Sequence, residues 1–186
     1  MTEKGCAMTR RIRALVPCVS LSLVLASLLA LVVGVLPGSA GEGGIAVQRF
    51  SAALVGAEET PAPVETGATG ELEITVVDAN TWLYTLSYRG FEGGDPLFAH
   101  IHIADPGVNG SVIIFLCGGG GKPACPSAGS VSGTITAADV MANADNGLAA
   151  GDFDSALRII RSGRTYANVH TTQFPGGEIR GQISGG

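Results

Sequence analysis

The chain has 186 residues, of which 46% are hydrophobic and 15% are charged, and its formal net charge is −5. Four basic residues and one acidic residue precede Gly41, so the remainder carries 7 Lys+Arg against 15 Asp+Glu, a net charge of −8. This acidic balance argues against nucleic-acid binding, which requires a basic surface, and against docking on anionic lipid. The length suits one domain with a real hydrophobic core.

Residues 1–40 have the pattern of an export segment. A basic start with Lys4 and three arginines is followed by almost unbroken apolar sequence over residues 14–37, and residues 38–40 are small. This pattern predicts a signal peptide that is cleaved after residue 40. The apolar run is also long enough to be retained as an N-terminal membrane anchor, so both alternatives stay open. Either one places the remainder outside the cytoplasm, with residues 41–48 as a flexible lead-in.

From residue 49 onward, short segments alternate between apolar and polar residues. This alternation predicts strands, because successive side chains of a strand point to opposite faces. The segment with Trp82, Tyr84 and Tyr88 follows a similar segment across Asp78-Ala79-Asn80, which predicts a hairpin with an aromatic stripe on its core side. The predicted strands lie at about residues 50–55, 71–77, 82–88, 99–103, 112–116, 131–136, 166–171 and 178–184.

Cys117 and Cys125 are the two cysteines of the predicted exported part, and a glycine-rich loop separates them. An even number of cysteines in an exported chain predicts a disulfide, with two free thiols as the alternative. The glycine run at residues 118–121 lacks the Lys-Ser/Thr pair of a phosphate-binding loop. We therefore interpret this segment as a flexible loop closed by the disulfide.

Two short helices are predicted between the sixth and seventh strands. Thr136-Ala137-Ala138-Asp139 has the pattern of a capping box, which predicts a helix from there to about Ala144. Asp152 or Asp154 predicts the start of a second helix that ends near Gly163. These elements predict an all-β antiparallel fold, either a Greek-key sandwich or a partly open barrel, of about eight strands with two short helices.

The three histidines of the chain lie on two of the predicted strands. His100 and His102 are two residues apart, so they share one strand face, while Ile101 and its apolar neighbours point toward the core. His170 lies near the end of the seventh strand. Three imidazoles with an open coordination position suit Zn²⁺ or Cu²⁺. The sequence therefore predicts a metal site of His100, His102 and His170, with copper or zinc as the cofactor.

The last predicted hairpin supplies further candidates. Pairing across residues 175–177 would place Glu178 opposite His170, and Arg180 opposite Asn168. Glu178 is then a candidate fourth ligand, a partner that orients His170, or the ion-pair partner of Arg180. Asn168 and Arg180 are candidates for a fourth ligand or for the groups that surround the ligands. The alternative is a structural polar network of these side chains that holds no metal.

Several of these segments together resemble the CHRD domain, a family named after chordin and found also in bacterial exported proteins. The resemblance extends over about residues 50–183, and its closing blocks are the most specific part. It rests on Phe50-x-Ala52-x-Leu54-x-Gly56-x-Glu58, Thr66-x-Ala68-Thr69-Gly70, Ala99-His100-Ile101-His102, Asn109-Gly110, Tyr166-Ala167-Asn168-Val169-His170-Thr171 and Pro175-Gly176-Gly177-Glu178-Ile179-Arg180-Gly181-Gln182. The resemblance implies an extracellular β-rich module over residues 49–186. The cysteine-rich domains with which chordin binds growth factors have no counterpart in this sequence, so that activity is not implied.

The predicted function is that of an exported binding or scaffold module, with or without one transition-metal ion on the three histidines. A small copper/zinc metalloenzyme or a copper-handling protein is the alternative. Enzyme activity is disfavoured, because no serine has a GxSxG context and three histidines are too few for the bridged two-metal site of a copper–zinc dismutase. The expected partner is an extracellular ligand or protein of undefined identity. Membrane contact is expected only through the N-terminal segment.

Overall fold

The computed structural model describes residues 47–186. The predicted signal peptide or anchor at 1–40, and nearly all of the predicted lead-in at 41–48, lie outside the described residues. Gln48 already belongs to the first strand. Among the described residues, no helix has the length and apolar character needed to cross a membrane.

Nine strands and one α-helix make up the domain, which confirms the all-β antiparallel prediction. The helix α1 spans Phe153–Arg161. The strands are β1 (Gln48–Val55), β2 (Thr69–Asp78), β3 (Thr81–Arg89), β4 (Pro96–Ile103), β5 (Ser111–Cys117), β6 (Gly129–Ile135), β7 (Thr165–Thr171), β8 (Ile179–Gln182) and β9 (Ser184–Gly185).

The strands form one sheet in the order β5-β4-β7-β8-β1-β2-β3-β6, and β9 pairs with β1. Neighbouring strands are antiparallel throughout this sheet. The sheet curls until its two ends approach each other, and the Tyr84 hydroxyl of β3 donates a 2.6 Å hydrogen bond to the Leu116 carbonyl of β5. The result is a nearly closed barrel whose interior is the hydrophobic core.

The β2–β3 hairpin carries the aromatic stripe into this core. Val76 pairs with Trp82 and Ile74 with Tyr84, so the inward positions of the two strands coincide. Trp82 is fully buried, and its ring stacks on that of Phe153 in α1 with the ring centroids 4.2 Å apart. The predicted core orientation of the stripe is therefore confirmed.

The two predicted helices have different outcomes. The second exists as α1, and the Asp152 carboxylate caps it by accepting a 3.0 Å hydrogen bond from the Ser155 amide. The first was predicted wrongly, because residues 136–144 contain only a single 3-10 turn at Ala137–Asp139, and another begins at residue 144. The chain leaves the first turn because the Met141 amide donates to the Ile113 carbonyl on β5. A tertiary hydrogen bond thus replaces the next helical one.

Cys117 and Cys125 form the predicted disulfide, with their Cα atoms 5.0 Å apart. The bond closes the loop that leaves β5 toward β6. In this loop the Gly118 amide donates to the Pro123 carbonyl, and Lys122 forms a 2.7 Å ion pair with Asp139. The loop is therefore tied both to itself and to the 3-10 turn, and is not the freely flexible segment that the glycine run suggested.

Removal of the disulfide is expected to lower the free energy of unfolding by roughly 2–3 kcal/mol, because the closed loop is short and the link mainly restricts the unfolded chain. The double variant Cys117→Ser/Cys125→Ser, unfolded in urea beside the wild type, measures this loss. Reducing agent should destabilise the wild type to the same extent and leave the double variant unchanged. Equal unfolding midpoints for the two oxidised proteins would contradict the prediction.

Candidate metal centre

Strands β4 and β7 lie side by side and bring the three histidines onto one face of the sheet. His100 pairs directly with Asn168, and Phe98 pairs with His170. Because side chains alternate along a strand, His100, His102, Asn168 and His170 point away from the barrel interior, while their neighbours such as Ile101 line the core. The predicted separation of histidine face and core face is present in the structure.

This outward face is covered by loops instead of solvent. Each of the three histidines is only 7% exposed, and Asn168 is 3% exposed. The segment between β4 and β5 contributes the Gly110 carbonyl, which lies 2.9 Å from His102 Nδ1. The segment between β7 and β8 contributes the Pro175 carbonyl, which lies 2.9 Å from His170 Nδ1. The imidazoles therefore form a buried polar layer between the sheet and its loops.

The imidazoles converge closely enough to share one ion after a small contraction. His100, His102 and His170 each offer a ring nitrogen, and these three nitrogens lie within 4.8 Å of one another. His100 Nδ1 and His102 Nε2 are already 3.1 Å apart. Nitrogens bound to the same zinc-sized ion are typically about 3–3.5 Å apart. The nitrogen farthest from the others thus needs to move by no more than about 1–2 Å.

The backbone carbonyls decide which ring nitrogens are free. A carbonyl oxygen only accepts hydrogen bonds, so Nδ1 of His102 and Nδ1 of His170 must each carry the proton when the rings are neutral. The Nε2 atoms of both rings are then unprotonated lone-pair donors that point into the cluster. Fixing the tautomer through a carbonyl on the other nitrogen is how proteins usually orient histidine ligands.

Asn168 lies beside the free nitrogen of His170. Its Oδ1 atom is 2.9 Å from His170 Nε2, and both atoms are acceptors when the imidazole is neutral. Two acceptors at this distance repel each other. Either the amide turns so that its Nδ2 donates to Nε2, or a cation lies between the two atoms. Asn168 is thus placed where it either holds the neutral ring or serves as a fourth donor.

Burial keeps the cluster neutral. It lowers the pKa of His100 to about 3, with the charges of His170 and His102 adding to the effect. It lowers the pKa of His102 to about 4, although the Gly110 carbonyl acts in the opposite direction. The pKa of His170 is lowered for the same reason, against a smaller opposing effect of its hydrogen bond to Pro175. The three imidazoles are therefore neutral, as histidine metal ligands must be.

We expect the metal-free protein to lose stability as the pH falls from about 6.5 to about 5. An unfolded imidazole binds its proton near pH 6.5, whereas folded His100 and His102 bind theirs only near pH 3 and 4. The unfolded state therefore takes up protons first, which stabilises it by up to about 1.4 kcal/mol per pH unit for each imidazole. Urea unfolding midpoints across this pH range measure the decline.

Glu59 titrates in the opposite sense and serves as the internal control. Burial raises the pKa of its carboxyl from 4.5 to about 7. Between about pH 6.5 and 5 the folded state therefore holds a proton that the unfolded state has mostly lost. Glu59→Gln should therefore steepen the decline, and His100→Gln should flatten it. A midpoint that stays constant between pH 6.5 and 5 in Glu59→Gln would contradict neutral buried imidazoles.

Arg180 pairs with Asn168 across the β7–β8 hairpin, as predicted from the register. Arg180 is 2% exposed, and its guanidinium lies over the Tyr166 ring, 3.5 Å from the centroid. Tyr166 in turn stacks on His102, with centroids 4.7 Å apart and the planes within 6°. The Tyr166 hydroxyl also accepts a hydrogen bond from the Gly110 amide. Arg180 therefore supports His102 through an intervening ring.

Arg180 also binds the β4–β5 segment that covers the cluster, and the segment between β1 and β2. Its guanidinium donates to the Val108 carbonyl at 2.8 Å, to Asn109 Oδ1 at 3.2 Å and to the Thr60 hydroxyl at 2.5 Å. Asn109 and Thr60 are hydrogen-bonded to each other as well. No carboxylate of the described residues forms a salt bridge with Arg180, so the ion pair with Glu178, one of the three alternatives for that residue, is not formed.

Glu178 lies at a different place from the one that the register suggested. The paired residues of the hairpin end at Val169 and Ile179, so Glu178 lies just beyond them, and both oxygens of its carboxylate accept hydrogen bonds from groups other than the imidazoles. Burial opposes its charge, yet the hydrogen bonds that it accepts outweigh burial and lower its pKa. The donors are the Thr171 hydroxyl at 2.7 Å, the Thr66 hydroxyl at 2.8 Å, the Glu92 amide at 2.9 Å and the Gly93 amide at 3.1 Å. Glu178 holds two loops and contacts none of the imidazoles.

Glu59 is a buried residue near the cluster that the sequence did not reveal. Its side chain is 5% exposed, and its Oε1 atom has no hydrogen-bond partner among the described residues. Glu59 lies close to Asn168, beside Gly177. A Cβ atom added to that glycine would clash with both Glu59 Oε1 and Asn168 Nδ2. The adjacent Glu58 is exposed, so no pattern in the sequence distinguished the buried carboxyl from the solvated one.

The fold and this cluster define a class of protein: a small, nearly closed antiparallel β-barrel module that carries a loop-covered group of three neutral imidazoles. A family model described as CHRD domain matches residues 50–183, which is most of the chain. The chain belongs to the CHRD-domain family. Comparison with curated proteins and with solved structures found no match.

Proposed function

We propose that this protein is an extracytoplasmic binding module that holds one transition-metal ion on His100, His102 and His170. The observation that carries the proposal is the convergence of three ligand nitrogens within 4.8 Å of one another, in a region where each histidine is 7% exposed. Burying three imidazoles together costs their hydration, and without an ion they must satisfy one another: His100 Nδ1 and His102 Nε2 share a hydrogen bond, and His170 Nε2 faces Asn168 Oδ1. A single cation can accept one nitrogen lone pair from each of the three imidazoles.

The surroundings support this assignment. The Gly110 and Pro175 carbonyls orient the His102 and His170 rings so that Nε2 faces the cluster. The rings are neutral at ordinary pH, so an ion can bind without a net release of protons from the imidazoles. The competing proposal, a structural network without metal, leaves the Asn168 oxygen and the free His170 nitrogen opposed at 2.9 Å unless the amide is reversed.

The same burial favours binding over catalysis. A substrate would have to reach the ion past loops that Arg180 fixes to the sheet through Val108 and Asn109. An open position beside a cleft is what a hydrolytic or redox enzyme needs. The proposed activity is therefore storage, sensing or structural use of the ion.

The proposed location outside the cytoplasm has three supports. CHRD domains occur in extracellular proteins, and this chain belongs to that family. The chain begins with a basic segment and a long apolar run, the pattern of an export signal. The Cys117–Cys125 disulfide is a bond that persists mainly in oxidising compartments. N-terminal sequencing of exported protein tests the location, and a start near Gly41 is the expected result.

Isothermal titration calorimetry of the purified metal-free chain with Zn²⁺ and Cu²⁺ at neutral pH tests the metal site. One ion per chain is expected, and His100→Ala should weaken binding by about 100-fold or more, because it removes one of three ligands. Thr85→Ala is the matched control, since it removes a hydrogen-bonding side chain at the Ser132 pair on the β3–β6 side of the sheet. It should leave the affinity unchanged.

The fluorescence of Trp82 reports whether each variant is folded, because it is the single tryptophan and is fully buried. A folded wild type that binds neither ion, and whose metal content after purification is zero, would remove the metal proposal unless reduced copper binds. In the absence of any binding, the polar-network interpretation stands, and His100→Ala should change stability alone.

A further inference from the structure

The proposed metal site has a charge environment that selects among ions. Resting on that proposed function, we propose that the ion held by His100, His102 and His170 is monovalent copper, Cu(I), in preference to Zn²⁺ or Cu²⁺. Three observations lead to this inference: the converging ligands carry no charge, the positive guanidinium of Arg180 lies one aromatic ring away from His102, and aromatic rings pack against His100.

The donors around the cluster are neutral. The three histidines form the ligand group, and the further donor beside them is the Asn168 carbonyl oxygen, 2.9 Å from His170 Nε2. Within residues 47–186, no carboxylate belongs to this group of converging ligands. Glu178, the carboxylate placed closest by strand register, uses both oxygens on hydroxyl and amide donors elsewhere. No ligand of this group therefore offsets the positive charge of a bound ion.

The charged side chain that lies behind His102 is the positive Arg180. Arg180 lies against Tyr166, which stacks on His102, so a guanidinium is separated from a ligand ring by one aromatic ring. The positive charge of Arg180 acts to lower the pKa of His102, and it acts in the same direction on the buried carboxyl of Glu59. If Glu59 is ionised, Arg180 and Glu59 cancel; if it is protonated, Arg180 repels the ion. Neither state supplies the net negative charge that a buried divalent ion needs.

Burial makes the ionic charge decisive. The solvation free energy that an ion gives up on burial scales with the square of its charge, so a divalent ion loses about four times as much as a monovalent ion of similar size. The histidines are nearly inaccessible, so little of this loss is recovered from water. Proteins that bind divalent ions in buried sites usually compensate with thiolates or carboxylates. This site offers only imidazole and amide groups.

The aromatic rings that pack against His100 also favour Cu(I) over zinc. Phe115 packs edge-on against His100, with centroids 4.8 Å apart, and Phe98 lies parallel to the same ring at 6.0 Å. Zinc completes a tetrahedral set with a fourth ligand, commonly water. Phe115 covers one side of the His100 ring and limits the room for water there, which disfavours zinc, whereas Cu(I) accepts three nitrogen ligands without a bound water.

The test is an anaerobic titration of the metal-free full chain with Cu(I) in competition with bicinchoninate, beside Zn²⁺ and Cu²⁺ titrations with their own competing chelators. We expect one Cu(I) per chain, bound about 100-fold or more tightly than either divalent ion. Because each tenfold preference for Cu(I) over Cu²⁺ raises the reduction potential of bound copper by about 59 mV, voltammetry gives an independent measure.

Asn168→Asp provides the discriminating variant. It keeps the shape of the side chain and places a negative charge beside the imidazoles, which should lower the ratio of Cu(I) affinity to Zn²⁺ affinity by about 10-fold or more. Asn80→Asp is the matched control, because Asn80 is an exposed residue of the β2–β3 turn, and its ratio should equal that of the wild type. If Asn168→Asp fails to fold, as judged by Trp82 fluorescence, the wild-type affinities still decide.

The possible failures are distinguishable. Equal or tighter binding of Zn²⁺ or Cu²⁺ by the wild type would overturn the preference for Cu(I) and leave the proposed metal site intact. An unchanged ratio in a folded Asn168→Asp variant would overturn the electrostatic cause. Binding of no ion, including Cu(I) under anaerobic conditions, would overturn both the preference and the proposed function.

Discussion

Arg180→Met is expected to lower the free energy of unfolding by about 3–5 kcal/mol, although it replaces the side chain with an apolar one of similar length. The arginine is 2% exposed and donates to Val108, Asn109 and Thr60, so its removal leaves the Val108 carbonyl and the Thr60 hydroxyl oxygen without this donor, while Asn109 Oδ1 keeps the hydrogen bond from Thr60. It also removes the charge that partly offsets the buried Glu59 carboxyl. Urea unfolding at pH 7 measures the loss.

Arg164→Met is the matched control for this prediction. Arg164 binds Asp105 at 2.9 Å in the same loop region, but about half of each side chain is exposed to solvent. Exposed ion pairs contribute about 0–1 kcal/mol, so this variant should unfold close to the wild type. Equal losses for the two variants would show that Arg180 acts only as a surface charge, and the role assigned to it in fixing the loops over the histidines would be wrong.

Trp82→Ala is expected to cost about 3–5 kcal/mol, the usual range for deleting a fully buried large aromatic side chain. The indole has no exposed surface and stacks on Phe153, so its removal opens a cavity between β3 and α1. Thermal or urea unfolding followed by circular dichroism measures the loss, since the variant has no tryptophan to follow.

Leu83→Ala is the control from the same strand. The Leu83 side chain points outward and is 48% exposed, so its truncation should change the free energy of unfolding by no more than about 0.5 kcal/mol. The contrast between adjacent residues tests the inward and outward alternation of β3 directly. Comparable losses at positions 82 and 83 would contradict the assigned register of the β2–β3 hairpin.

Strand identity was predictable because it depends on local alternation. The segments around Leu72 and Trp82 alternate over enough residues to define both the strand and its buried face, and Asp78-Ala79-Asn80 marks the turn between them. The register of the last hairpin followed in the same way, and Asn168 does pair with Arg180. Each of these features depends on residues only a few positions apart in the chain, and sequence periodicity reports on that local range.

The wrongly predicted helix shows where this range ends. Thr136 and Asp139 do interact, with the Thr136 amide donating a 2.8 Å hydrogen bond to the carboxylate, so the local capping pattern is real. The helix stops after one turn because Met141 pairs with Ile113 on β5, a strand that lies more than 20 residues earlier. A strong local start signal was overridden by a backbone hydrogen bond between distant segments.

The sequence by itself predicted that the three histidines lie on the strand face opposite the core and that Cys117 and Cys125 pair, since these predictions require no knowledge of distant contacts. Only the tertiary structure decided that loops cover this face, that Glu178 turns away from the imidazoles and that Glu59 is buried near them. The physical reason is separation along the chain. Arg180 fixes Thr60 from 120 residues away, and Glu178 binds Thr66 from 112 residues away. Hydrogen bonds of this kind depend on how the barrel closes, which no local pattern encodes.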